Sequence, residues 1–189
     1  MRTDDFDYHL PEELIAQSPI EPRDSSRLMV LSRDSGEIEH RRFPDLLQYL
    51  RPGDVMVFNQ SRVIPARLYG HRTDTGSKAE FLLLRRNADG TWEAMARPGR
   101  RLRPGVVVQV DEKSPQPAVH KGATEGGFTV EVVAAHDDGL KTVRLSSEEG
   151  IDRFGHTPLP PYIKETLDDT ERYQTVYSHQ PGSVAAPTA

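Results

Sequence analysis

The sequence predicts an α/β domain interrupted by an inserted small antiparallel β-barrel, with the α/β part incomplete within these 189 residues. Three observations lead there. Asp54–Gly70 (DVMVFNQSRVIPARLYG) reads as a buried strand, Val55–Phe58, that breaks at Asn59 and restarts past Arg62 and Pro65. From Arg67 to Gly150 short β-branched runs alternate with Asn/Asp/Gly turns, the spacing of a small barrel or sandwich. After Gly150 helix and loop signals return, and the last residues, Gly182–Ala189 (GSVAAPTA), are a run of small residues. The boundaries follow: residues 1–66 form a first α/β segment, 67–150 the barrel and 151–189 a second α/β segment.

In chain order, Leu10–Gln17 suits a short helix, with Pro11 in its first turn and Glu12 and Glu13 at the dipole's positive end. Pro19 and Pro22 stop it. Arg27–Leu31, the turn Arg33–Gly36 and Glu37–Arg41 read as a hairpin, and Phe43–Leu50 as a second short helix. In the barrel region Ala79–Arg86 and Thr91–Ala96 are strands around the turn Asn87–Gly90. Val106–Val110 follows, then Phe128–Ala135 and Leu140–Leu145 around the turn His136–Gly139. Ser114–Gly127, rich in Pro and Gly, is an exposed loop. Three prolines hold Thr157–Ile163 extended, and Asp168–Ser178 reads as a helix starting on an Asp cap.

Composition narrows the functional classes. Apolar residues make up 35% and charged residues 28% of the chain, which still provides clusters for a core. No apolar run is long enough for a transmembrane helix, and the acidic start MRTDDFDYHLPEEL lacks the apolar stretch of a signal peptide. Cysteine is absent, which excludes disulfides and thiolate metal sites and fits a reducing cytoplasm. The seven histidines are scattered, so no metal site is expected. Net charge is −5 but unevenly spread: −4 over 1–65, +5 over 66–110 and −6 over 111–189. A basic middle between acidic flanks is the pattern of an RNA-contacting patch on an acidic protein, and also one a solvated β surface produces.

Seven blocks occur in fixed order: DFDYHLPEELIAQSP, RDSSRLMVL, GEIEHRRFPDLLQYLRPGD, VFNQSRVIPARLYG, TPLPPYI, ERYQTVYS and GSVAAPTA. Together they closely resemble the S-adenosylmethionine:tRNA ribosyltransferase-isomerases of queuosine biosynthesis, over essentially the whole chain and least between about 111 and 150. The resemblance implies a barrel inserted in an α/β domain, with the last block continuing past Ala189 into a C-terminal portion. It implies transfer and isomerisation of the ribosyl group of S-adenosylmethionine, a co-substrate, onto a 7-aminomethyl-7-deazaguanine wobble base of tRNA. The products are epoxyqueuosine-tRNA, adenine and methionine. It also implies a cytoplasmic monomer that uses no metal, whose N-terminal portion alone is expected to be inactive. The alternative is a non-catalytic RNA-binding β-barrel module.

The sulfonium acidifies the adjacent 5′ carbon, so the reaction needs a base, a held leaving group and excluded water. Asp5, flanking Phe6 with Asp7, suits the base or a partner for arginine if the segment is extended; a solvated acidic terminus is the competing reading. Asn59 reads an adenine edge or ribose hydroxyl, and Arg62 a carboxylate or phosphate, against a turn plus a structural ion pair. Gln174 is the better ligand candidate of the Tyr173–Tyr177 segment. Ser183, Ala185, Ala186, Pro187 and Thr188 are implied to form part of a nucleoside wall. For RNA the candidates are Arg23 and Arg27, Arg67, and the dense run Arg97, Arg100, Arg101 and Arg103 in a Gly-containing loop. Trp92 is expected in the core.

Overall fold

The computed structural model describes residues 2–112, 127–167 and 169–185. The chain divides into two compact units, Met1–Phe58 with Pro161–Arg172, and Asn59–Pro160 with Tyr173–Ala189.

The first unit is built of short elements. Strands β1 (Arg27–Leu31) and β2 (Ile38–Arg42) pair antiparallel, Arg27 opposite Arg42 and Leu31 opposite Ile38. The turn between them passes Gly36 at φ 71° and closes through Ser32 N–H donating to the Glu37 carbonyl at 2.9 Å. The expected hairpin is present; the expected helices are not. Leu10–Gln17 reduces to a 3-10 turn at Glu12–Leu14, and Phe43–Leu50 to one at Phe43–Gln48. Asp168–Ser178, which runs from the first unit into the second, reduces to Thr170–Tyr173, with Asp168 outside the described residues. An isolated helix of three or four turns is marginal unless an apolar face is packed, and no described residue of this unit is buried. The expected buried strand at Val55–Phe58 is likewise corrected. It belongs to no sheet among the described residues, and Val55 is 88% and Val57 81% exposed. A continuous apolar strand needs neighbours on both edges and cover on both faces; within this unit it has neither.

The second unit holds the core. Short strand β3 (Ser61–Val63) leads through Pro65 into β4 (Arg67–Arg72). Then come β5 (Lys78–Arg86), β6 (Trp92–Arg97), β7 (Val107–Val110), β8 (Thr129–Ala135) and β9 (Lys141–Leu145). These six strands close an antiparallel barrel in the order β4-β5-β6-β9-β8-β7, with β7 returning to β4. Alternation points Leu68, Phe81, Leu83, Val108, Val130, Val132 and Val143 inward, each at most 1% exposed. Leu102, from the loop after β6, is equally buried. Each such side chain contributes roughly 1.5–3 kcal/mol by leaving water. Trp92 joins this core as expected. The two read turns are in place: Asn87 N–H donates to Thr91 at 2.7 Å and His136 N–H to Leu140 at 3.0 Å. Gly70 has a packing reason, since a Cβ there would lie 2.2 Å from the Gln109 carbonyl oxygen on β7. Residues 114–126 of the expected loop lie outside the described residues.

A short helix α1 (Gly150–Phe154) caps the barrel with Ile151 and Phe154, whose ring stacks on Phe128 at 5.3 Å. Finally β10 (Gln180–Ser183) runs parallel to β3 and forms a separate two-stranded sheet with it.

Candidate functional site

The β3–β10 ladder gathers several of the residues singled out in the sequence. Gln180 lies opposite Ser61, Pro181 opposite Arg62 and Ser183 opposite Val63. Ile64 N–H donates to the Ser183 carbonyl at 2.9 Å, and His179 N–H to that of Gln60 at 3.0 Å. The tail read as a small-residue run therefore begins as a strand. The sequence hid this because Gln-Pro-Gly-Ser has little β-propensity.

Asn59 starts β3. Its Oδ1 accepts from Ser61 N–H at 2.9 Å and from Ser61 Oγ at 2.5 Å, an Asx turn that aims the strand. Thr175 Oγ1 donates to the Asn59 carbonyl at 3.4 Å. Arg62, half-buried within β3, donates from Nη1 to Ser178 Oγ at 3.4 Å. Gln174 is 7% exposed, and its amide pairs like a strand neighbour. Val63 N–H donates to Oε1 at 2.9 Å, and Nε2 donates to the Val63 carbonyl at 2.8 Å. Ser183 Oγ donates to the Ala185 carbonyl at 3.2 Å. Arg62 and Ser183 thus lie in one small parallel ladder, with Asn59 just ahead of β3 and Gln174 bonded to Val63 within it. Ala186, Pro187 and Thr188 lie outside the described residues. Thr175 and Ser178 were missed in the sequence; their only signal was the ERYQTVYS block around Gln174.

Chemically, this ladder presents a guanidinium beside hydroxyls and an amide on strands whose backbone bonds are made. Such a group set suits a carboxylate or ribose hydroxyls.

Asp5 belongs to the first unit. The expected extended segment is a 3-10 turn, Thr3–Phe6, so Asp5 and Asp7 do not alternate as on a strand. The Asp5 carboxylate accepts from the Arg2 N–H at 2.7 Å. Arg23, in the same unit, reaches the carbonyls of Glu171 and Arg172, both at 3.4 Å, and Arg27 opens β1, exposed.

The remaining arginines belong to the barrel. Arg67 on β4 approaches Glu80 at 3.7 Å. Arg97 ends β6, and Arg100, Arg101 and Arg103 follow, all four exposed. Their loop is tied down from beneath by Leu102 and by Arg72, whose Nη1 donates to the Arg101 carbonyl at 3.1 Å. Arg72 also holds the Asp74 carboxyl below its ordinary range through its hydrogen bonds. Among the described residues no cluster of three His, Asp or Glu has metal-ligand geometry, and no helix is long and apolar enough to cross a membrane.

Against known proteins, the profile of the family described as "Queuosine biosynthesis protein" matches residues 3–189. An S-adenosylmethionine:tRNA ribosyltransferase-isomerase from Dehalococcoides mccartyi (strain CBDB1) is 49% identical over 189 residues, covering 100% of this chain and 52% of the relative. One from Clostridioides difficile (strain 630) is 48% identical over 193 residues, with 100% and 53% covered. A solved S-adenosylmethionine tRNA ribosyltransferase from Thermotoga maritima is 34% identical over 94% of this chain and 56% of that one, at a TM-score of 0.37. The chain spans about half the length of the curated relatives it matches.

Proposed function

The chain belongs to the queuosine biosynthesis protein family, and from that premise we propose that it carries the N-terminal portion of an S-adenosylmethionine:tRNA ribosyltransferase-isomerase. The reaction moves the ribosyl group of S-adenosylmethionine to the 7-aminomethyl-7-deazaguanine wobble base of tRNA. Epoxyqueuosine-tRNA, adenine and methionine result. In this reading residues 67–150 are the barrel inserted between α/β segments 1–66 and 151–189, in a cytoplasmic monomer.

The observation that carries the reading is that Asn59 and Gln174 are bonded to β3, the strand that carries Arg62 and pairs with Ser183 of β10, in a chain whose relatives are named for S-adenosylmethionine and tRNA. Removal of a 5′ proton leaves an ylide whose electrons sit beside the sulfur. The ylide electrons open the sugar by breaking its C4′–O4′ bond to give a vinyl sulfonium, and the freed ring oxygen becomes a C1′ carbonyl as adenine departs with its bonding pair. The acceptor amine adds to the vinyl sulfonium at C4′ and gives up a proton, which restores the ylide; the ylide carbon attacks the C1′ carbonyl, and the resulting alkoxide displaces methionine to close the epoxide. Arg62 is suited to the methionine carboxylate, and Ser183 with Ala185 to the sugar or base edge. Asn59 shapes the strand that carries Arg62 and offers its amide beside it. Asp5 is the carboxylate proposed as base. Gln174 serves the site by holding β3. Arg97, Arg100, Arg101 and Arg103, with Arg67, Arg23 and Arg27, are the proposed phosphate contacts.

The deciding experiment incubates this chain, and a polypeptide extended to the length of its relatives, with S-adenosylmethionine and tRNA bearing the aminomethyl base. Adenine release from the extended protein, lost in Arg62→Ala, is the expected result. No adenine from either, with tRNA still bound, would leave the non-catalytic RNA-binding barrel module standing instead. That second reading has its own support in the exposed arginine run.

A further inference from the structure

The outer face of the barrel sets two of the proposed phosphate contacts, Arg67 and Arg97, beside side chains with no role so far. Leu68 and Gly70 point inward, so Arg67, Tyr69 and His71 face outward from β4. Residues directly opposite in an antiparallel ladder share a face. Tyr69 lies opposite Glu80, and Glu80 opposite Arg97. The three form one row across β4, β5 and β6, which places the Tyr69 and Arg97 backbones roughly 10 Å apart.

Tyr69 is 40% exposed, and its position is fixed. Its ring meets that of His156 edge-on, with centroids 5.2 Å apart and planes at 68°. His156 is locked to β4 by two backbone bonds with Arg67, at 2.7 and 3.1 Å. An edge-on neighbour braces a ring without stacking over it. Glu80, the acidic member of the row, lies within ion-pair range of Arg67, at 3.7 Å. Arg97 then leads along the chain into Arg100, Arg101 and Arg103. A rigid aromatic ring beside a cationic track is the arrangement that holds single-stranded nucleic acid, the ring taking a base and the arginines its backbone. Few apolar side chains surround it, Met95 and Leu82 foremost, which is too little for a protein-docking core.

We propose that Tyr69, braced by His156, is a stacking platform for one unpaired RNA base, with Arg97 and the loop beyond it on the adjoining phosphates. The proposal rests on the reading of the barrel as RNA-facing and adds to it a base contact on β4.

The test measures binding of a labelled hairpin RNA with a single-stranded loop, and of a blunt duplex with the same number of phosphates. Each is titrated with the wild-type chain and with Tyr69→Ala, Tyr69→Phe, Tyr69→Trp and Arg101→Ala, all first checked for the barrel's thermal melt. The expected result is that Tyr69→Ala weakens the hairpin by about 5- to 100-fold and leaves the duplex unchanged. Tyr69→Phe and Tyr69→Trp keep hairpin binding, and Arg101→Ala weakens both RNAs. Wild-type hairpin affinity in Tyr69→Ala, with Arg101→Ala weakened, overturns the platform while the phosphate reading survives. Equal loss on hairpin and duplex in Tyr69→Ala also overturns it. Absence of RNA binding by the wild-type chain, or capture of a protein on this face instead, overturns both.

Discussion

Val63 and Gln174 exchange two hydrogen bonds, at 2.9 and 2.8 Å, so that a side-chain amide completes the pairing of a three-residue strand. The sequence marks Gln174 as a ligand candidate because a polar residue in an ordered block invites that reading. Burial and two backbone partners make it the fastening of β3, and through β3 of Arg62.

Gln174→Ala is therefore expected to act on the scaffold. It abandons a buried N–H and a buried C=O, each costing about 1–3 kcal/mol. Urea unfolding of the second unit should show a lowered midpoint. Gln174→Glu should behave like Ala at neutral pH, where a carboxylate faces the Val63 carbonyl, and recover as acid protonates it. A wild-type midpoint in Gln174→Ala would remove the fastening role.

Gly70→Ala should damage the barrel, because the new methyl meets the Gln109 carbonyl at 2.2 Å across the β4–β7 seam that closes it. Overpacking of this kind costs typically 1–3 kcal/mol, more where backbone must move. Thermal melting followed by Trp92 fluorescence reads it; an unshifted melt would mean that the seam yields freely.

The Asp89 carboxyl caps the β5–β6 turn. It accepts from Thr91 Oγ1 at 2.7 Å and Thr91 N–H at 3.0 Å, and these bonds hold its pKa below the ordinary 3.8. A depressed folded-state pKa stabilises fully above the unfolded value and is lost as pH falls through the folded one. Asp89→Ala should thus be less stable than wild type at neutral pH, and the gap should narrow below pH 3.8. A gap that is constant down through that range would contradict the ionised cap.

Arg101→Ala should weaken tRNA binding and reduce the slope of log affinity against log salt by about 1, without changing S-adenosylmethionine affinity. Titrations at several salt concentrations decide it. An unaltered slope would take Arg101 off the phosphates.

The barrel was legible because its signals are local. Alternating runs such as Lys78–Arg86 and turns such as Asn87–Gly90 specify a hairpin without help from distant residues. The first unit misled because Val55–Phe58 reads as a buried strand from composition alone, while burial depends on what lies against it. The ladder between β3 and β10 was illegible for another reason: Gln-Pro-Gly-Ser becomes a strand only through the partner it meets. Asn59 and Arg62 were singled out by the break after the apolar run Val55–Phe58, and Ser183 by the ordered block it sits in. Tyr69 and His156 carried no signal until the register placed them together.

The parallel pair of β3 and β10 has a kinetic corollary. Ser61 and Gln180 are roughly 120 positions apart, and closing a flexible loop of that length costs on the order of 4 kcal/mol. Two short strands cannot repay that by themselves. Once the intervening barrel has condensed, the Arg67–His156 bridge holds the chain that leaves it beside the chain that enters it, and much of the loop is already closed. The β3–β10 ladder is thus a late product of folding, and a lesion anywhere in the barrel lowers the fraction of molecules in which Arg62 is held in its strand.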